Sequence, residues 1–225
     1  MGISAGPDII TDGLVLELDA GDRNSYPGTG TTWRDLSGNS NNGTLTNGPT
    51  FNTGSLGNIV FDGVDDYTSV THSTSLNITE TFTISCWIYP TRINNPDYIM
   101  NKNDAWGLIL GFQSGNVNFY NNAYQPTAAA TQISVSLNQW VNVVYSKDLN
   151  SLSNNWNGYK NGSSVFTLTR SFTNSTNSSN LLIGSSQTNL NFYRGNIASV
   201  QIYNKALSSQ EILQNYTAMK TRFGL

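Results

Sequence analysis

The sequence predicts an all-β protein in which two antiparallel sheets pack face to face and a short helix closes the chain. Apolar residues recur at every second position in Leu14-Leu16-Leu18, Phe82-Ile84-Cys86-Ile88 and Ala198-Val200-Ile202, the period of a strand with one buried face. Turn-forming Gly, Asn and Pro separate such runs, with no helical period between them, as in an antiparallel sandwich. The period changes only near the end. Ser208 and Glu211 have the spacing of a capping box, and Ile212, Leu213, Tyr216 and Met219 fall on one helical stripe.

The first strand places Leu14, Leu16 and Leu18 on one face and Val15, Glu17 and Asp19 on the other. Residues 20–58, dense in Gly, Asn, Thr and Pro, are expected to be a long excursion anchored by Trp33 and Leu36, with a short hairpin near Gly43–Thr46. Short strands are expected at Ile59–Phe61 and Tyr67–Val70, joined through Asp62-Gly-Val-Asp-Asp66. In the run Phe82–Tyr89, Thr83, Ser85, Trp87 and Tyr89 occupy the face away from the core, and Pro90 ends the strand. Further strands are expected at 107–112, 117–120, 140–146, 155–159, 165–168 and 181–184, with Asn161-Gly162 as a hairpin turn.

Length and composition set bounds. A sandwich of 225 residues is commonly one domain; residues 1–11 are expected to form an N-terminal arm and residues 12–225 the domain. Folding at this size removes roughly 70% of the extended chain's surface from water, so packing can hold the fold without staples. Cys86 is the single cysteine and behaves as a small core residue. Only 11% of residues are charged, and the net charge is −3. With no basic run, a dedicated nucleic-acid binder is not expected. No apolar run reaches the ~20 residues of a membrane-crossing helix, the first residues carry no secretory pattern, and membrane association is not expected.

The run Tyr193-Arg-Gly-Asn-Ile-Ala-Ser-Val-Gln-Ile-Tyr203, continued by Asn204-Lys-Ala-Leu-Ser-Ser-Gln-Glu-Ile212, resembles the C-terminal signature of the laminin G-like, concanavalin A-type jelly-roll superfamily. Asp12-Gly-Leu-Val-Leu16, Phe61-Asp-Gly-Val-Asp-Asp-Tyr67, Phe82-Thr-Ile-Ser-Cys-Trp-Ile-Tyr-Pro90 and Trp140-Val-Asn-Val-Val-Tyr145 resemble its other signatures, in the same order. The resemblance implies a two-sheet jelly roll. It leaves function open, because lectins, glycosidases and adhesive modules share this fold. Within it, Ser25–Phe51 and Tyr216–Leu225 look like modules of bacteriophage structural proteins, which implies a place on a virion.

The resemblance also directs attention to particular residues. Glu17, Asp19 and Asp22 are similar to the carboxylate strand of glycosidases of this fold, in which retaining hydrolysis needs two carboxyls about 5 Å apart. Here the third acid is Asp22 rather than Glu, and solvated acids on an exposed face are the expectation. Asp62, Asp65 and Asp66 lie where many relatives hold a structural calcium, an ion that takes six to eight oxygens. Ile197-Ala-Ser199 stands where the family often has Ile-Asp-Glu, and without calcium these aspartates would cap the turn. His72, the single histidine, is expected in a solvated loop, and one His with one Cys cannot build a metal cluster.

Carbohydrate recognition combines aromatic platforms with amide and carboxylate groups, because sugars present apolar CH faces and many hydroxyls. Trp106, Tyr120, Tyr124 and Trp156, among Asn103, Asp104, Asn121, Asn122 and Asn157, have that chemistry. The alternative is that these rings cover the sheet or fill a subunit interface. The resulting expectation is a non-enzymatic virion component, a capsid decoration or fibre-borne adhesive present as a homo-oligomer or in many copies. Its partners would be capsid, tail or fibre subunits, and host-surface glycans. A carbohydrate-binding lectin is the alternative, and a glycoside hydrolase a further one.

Overall fold

The structure is a computed structural model and describes residues 7–225 except 94, 104, 112–114, 122–128 and 187–190. The strands are β1 (Leu14–Asp19), β2 (Thr32–Trp33), β3 (Gly43–Thr46), β4 (Thr50–Asn52), β5 (Asn58–Asp62), β6 (Tyr67–Val70), β7 (Thr81–Pro90) and β8 (Asp97–Asn101). They continue with β9 (Gly107–Leu110), β10 (Asn116–Tyr120), β11 (Ile133–Ser134), β12 (Val141–Asp148), β13 (Trp156–Lys160), β14 (Ser163–Leu168), β15 (Leu181–Ile183) and β16 (Arg194–Tyr203). One helix, α1 (Ser209–Met219), follows them. The all-β expectation holds: the strands form two antiparallel sheets of a jelly-roll-like sandwich.

The first sheet runs β14-β13-β12-β7-β16-β5-β4, and β1 adds to β16 beside β5. β16 can serve both because β5 pairs with its first half, Arg194–Ile197, and β1 with its second, Ser199–Tyr203. The second sheet runs β11-β10-β9-β8-β15-β6-β3-β2. β5 and β6 therefore lie in different sheets, and the Asp62–Asp66 turn crosses the sandwich edge instead of closing a hairpin. Asn161 and Gly162, with φ of 52° and 74°, do close the tight β13–β14 hairpin, a geometry that Asn-Gly adopts with little strain. β2, β4, β8 and β11 were not expected from the sequence.

Between the sheets lie Trp33, Trp106, Trp156, Phe82, Phe119 and Tyr145, each at most 1% exposed. The strict alternation expected for β1 fails at a bulge: Leu14 pairs with Tyr203 and Leu16 with Ile202, so Val15 has no partner of its own. Val15 thereby joins Leu16 and Leu18 in the core, and Leu14 turns to the outer face beside Tyr203, Leu207 and Ile212.

That outer face is covered by α1. Ser208 Oγ accepts from Glu211 N–H at 3.3 Å, and Ser208 N–H donates to Glu211 Oε2 at 2.8 Å, completing the capping box. Ile212 and Met219 are buried as expected, but Leu213 is 50% exposed and Asn215 takes a place on the buried stripe. Asn215 bridges three elements: Nδ2 donates to the Tyr203 hydroxyl, and Oδ1 accepts from Ile10 N–H in the N-terminal arm. Phe223, beyond α1, stacks on Trp87 at 4.1 Å, and Tyr216 of α1 stacks on the same ring at 5.6 Å. Trp87, expected on the face away from the core, is 1% exposed for this reason.

Candidate functional site

Among the described residues, the aromatic platform that the sequence offered as a candidate is not assembled. Trp106 and Trp156 are fully buried between the sheets, and Trp156 packs against Phe82, Phe119, Tyr145 and Phe172. Neither indole offers a face to solvent. They fill the core of one subunit, neither covering the sheet nor entering a subunit interface. Tyr120 lies on the outer face of the second sheet at 8% exposure, edge-on to Tyr98 and hydrogen-bonded to Asn101. Tyr124, Asp104 and Asn122 lie outside the described residues.

Glu17 and Asp19 share the outer face of β1, opposite Gln201 and Ser199. Asp19 is engaged: Arg222 Nη1 lies 2.7 and 2.8 Å from its two oxygens. Asp22 Oδ1 accepts from Asn24 N–H in a local turn. The Glu17 carboxyl is pushed up to about 7, first by burial and then by the nearby Asp19 charge, with the adjacent Gln201 side chain opposing the rise. The strand thus holds one acid that resists ionisation and one tied to a guanidinium. His72 is half-buried rather than solvated, with Nδ1 3.2 Å from Lys102 Nζ. Burial pushes the Cys86 thiol up to about 12, which leaves it inert as a nucleophile at neutral pH.

At the sandwich edge, carboxylate oxygens of Asp62, Asp65 and Asp66 lie within 4.8 Å of one another. Asp62 Oδ1 accepts from Val64 N–H at 2.8 Å, and Asp66 Oδ2 accepts from Asp62 N–H at 3.0 Å. Both bonds organise the turn. The Asp65 carboxylate makes neither kind of bond and projects to solvent. Burial raises the Asp66 carboxyl, and the Asp62 and Asp65 charges raise it further, against the backbone bond that lowers it. Hard oxygen donors converging with unrelieved repulsion fit a divalent cation such as calcium in type. Ala198 and Ser199, at the place where the family that the sequence resembles often has an acidic pair, are buried in the first sheet, with Ala198 packed against Trp87 and Met219.

A different solvent-facing groove of about 470 Å³ opens beside the C-terminal segment, lined by Tyr89, Trp140, Phe223, Asn138, Gln139 and Lys160 among others. Trp140 is its central ring, tilted against Tyr89 at 5.4 Å and against Phe223 at 4.8 Å, and all three rings are half-buried. Each wall has a local cause. Tyr89 sits on the non-core parity of β7, and Trp140 immediately precedes β12. Phe223 is brought in by a 3-10 turn after α1. Asn138, at φ 56°, is held by its N–H donating to the Pro90 carbonyl. The Asn138 and Gln139 side chains are exposed. Sequence reasoning missed this groove because Tyr89, Trp140 and Phe223 are far apart in the chain; the usable signal was Tyr89 on the face opposite the core.

The fold has counterparts among solved structures. Domain 4 of an extracellular arabinanase from Geobacillus stearothermophilus, in complex with arabinotriose, superposes with a TM-score of 0.67 at 17% identity, covering 90% of this chain and 98% of that one. The binding domain of Paraclostridial Mosquitocidal Protein 1 gives 0.64 at 20% identity, covering 92% of this chain and 52% of that one. The binding domain of Botulinum neurotoxin DC, in complex with rat synaptotagmin II, gives 0.69 at 17% identity, covering 93% and 52%. This chain thus spans about half the length of either toxin chain, and at such identities the likeness is one of fold. No curated protein matches the sequence. The model of the concanavalin A-like lectin/glucanases superfamily matches residues 62–213, about two thirds of the chain, from the acidic turn to the middle of α1; the protein belongs to that family.

Proposed function

We propose that the chain is a non-enzymatic recognition module that binds surface glycans, carried in many copies on a phage particle as a capsid decoration or fibre head. The observation that carries the glycan reading is the Tyr89–Trp140–Phe223 groove, in which half-buried rings stand beside exposed amides. Such a pairing suits sugar CH faces and hydroxyls. The arabinotriose complex of a domain with this fold supports the same reading, and the toxin binding domains support recognition as the role. The Asp19–Arg222 pair supports the non-enzymatic part, since a carboxylate gripped at both oxygens is poorly placed as nucleophile or base. Support for the virion setting comes from the phage-like segments Ser25–Phe51 and Tyr216–Leu225. The second of these supplies Phe223 to the groove. As part of the same proposal, the Asp62–Asp66 turn holds calcium through Asp65 and the remaining oxygens of Asp62 and Asp66.

A glycan array with the purified chain, in calcium-containing buffer, tests recognition: binding to a subset of glycans is expected, and uniformly negative binding overturns it. Mass spectrometry of purified particles tests the setting. The chain is expected among virion proteins, and its absence from particles despite expression during infection removes the virion role.

A further inference from the structure

The groove beside Trp140 carries more information than its rings. Asn138 and Gln139 have exposed side-chain amides with no hydrogen bond to another described residue. Asn161 holds its own end of the groove fixed: its Oδ1 accepts from Asn142 N–H at 2.9 Å and its N–H donates to the Asn142 carbonyl at 2.9 Å. Lys160 precedes it at the end of β13 and lines the same groove. Among the described residues no carboxylate pairs with Lys160, and none of the lining side chains is acidic. An unpaired ammonium beside an aromatic floor and free amides is complementary to a sugar that is itself charged.

We propose that this groove takes a carboxylate-bearing saccharide, a uronic-acid or similar acidic glycan. The Trp140 ring lies against a CH face, Asn138 and Gln139 meet hydroxyls, and the Lys160 ammonium meets the carboxylate. The assignment rests on the glycan-binding reading above and narrows it to a substrate class. The floor is preorganised, because Trp140 is wedged between Tyr89 and Phe223, so little side-chain ordering opposes binding. The charge contact is the discriminating one, because rings and amides would accept neutral and acidic sugars alike.

Isothermal titration with a matched pair of probes tests it: cellotetraose and its fully C6-oxidised tetraglucuronide. The native chain should bind the acidic tetramer on the order of tenfold more tightly, the size of one charge-assisted hydrogen bond. Added salt should weaken that binding. Lys160→Met should remove the preference, so that the acidic and neutral tetramers bind the variant with equal affinity. Trp140→Ala should abolish binding of both, with Trp140→Phe retaining part of each; a cooperative melt that stays well above the titration temperature excludes misfolding as the cause. Equal affinities for the two tetramers, no effect of Lys160→Met, or no binding of either would overturn the acidic-sugar assignment. If the glycan array remains positive in that case, recognition stands and only the ligand class or groove is wrong; if the array is also blank, the broader reading fails with it.

Discussion

Arg222 grips Asp19 across 203 positions of sequence, with one guanidinium nitrogen 2.7 and 2.8 Å from the two carboxylate oxygens. The same guanidinium donates to the carbonyls of Ser55 and Gly57, so it ties the end of β1 and the 54–57 turn to the C-terminal segment. The two side chains are only 11% and 17% exposed. Removing one member of such a pair leaves the other charged and desolvated.

Arg222→Ala should therefore destabilise the fold by about 3 kcal/mol. Urea denaturation checks this. A loss below about 1 kcal/mol would mean that the pair behaves as a surface ion pair.

Glu17 makes stability depend on pH. Its carboxyl keeps its proton to about 7 in the folded state, against 4.5 in the free group. Between those values the folded state binds more protons than the unfolded one, so stability falls as pH rises through that window. The loss should be about 2 kcal/mol after allowance for partial solvent access. Glu17→Gln should flatten the profile and stabilise the protein at pH 8 relative to the native chain. Denaturation midpoints from pH 4 to pH 8 decide it; an unchanged profile in the variant refutes the assignment.

The glycine of the Arg-Gly pair in the C-terminal signature has a mechanical reason to be there. Gly195 adopts φ 145°, and a Cβ there would lie 2.3 Å from the Tyr89 carbonyl oxygen. Gly195→Ala should cost about 2 kcal/mol or more, because backbone in a central strand cannot step aside. A thermal melt within about 2 °C of the native chain would show that the strand accommodates the methyl.

Two tryptophans should respond in opposite ways. Trp156→Ala removes a ring at the centre of the core and should cost about 3–5 kcal/mol. Trp140→Ala, at the groove, should cost only about 1 kcal/mol while abolishing glycan binding. Chemical denaturation and glycan binding measured on both variants separate the roles.

For calcium, the expected outcome is a rise of a few degrees in melting temperature at about 10 mM calcium relative to chelator. Asp65→Asn should erase that rise without lowering the melt in chelator, because the Asp65 carboxylate takes no part in the turn's hydrogen bonds and its loss relieves repulsion on Asp66. A calcium-independent melt removes the ion from the proposal.

Much of the sandwich was legible because its code is local. A period of two along Phe82–Ile88 and Ala198–Ile202 marks a buried face wherever the strand ends up, and Ser208 with Glu211 announces the helix start from four residues. The rest depends on partners remote in the chain. The β1 bulge that turns Val15 inward is imposed by the register with β16. Leu213 yields the buried stripe to Asn215 because a tyrosine hydroxyl and a backbone N–H from other segments await the amide. The asparagines around Trp106 and Trp156 suggested a wet surface, yet β13 directs the Trp156 ring inward and Asn157 outward on the next pleat. The groove at Trp140 was hidden for the same reason, since three separated segments meet there only after folding.

The N-terminal arm and α1 are stitched together side by side: Gln214 Nε2 donates to the Asp8 carbonyl, and Ile10 N–H donates to Asn215. The segment before β1 and the helix after β16 therefore share one fastening on the outer face of the first sheet, so loosening either one frees the other.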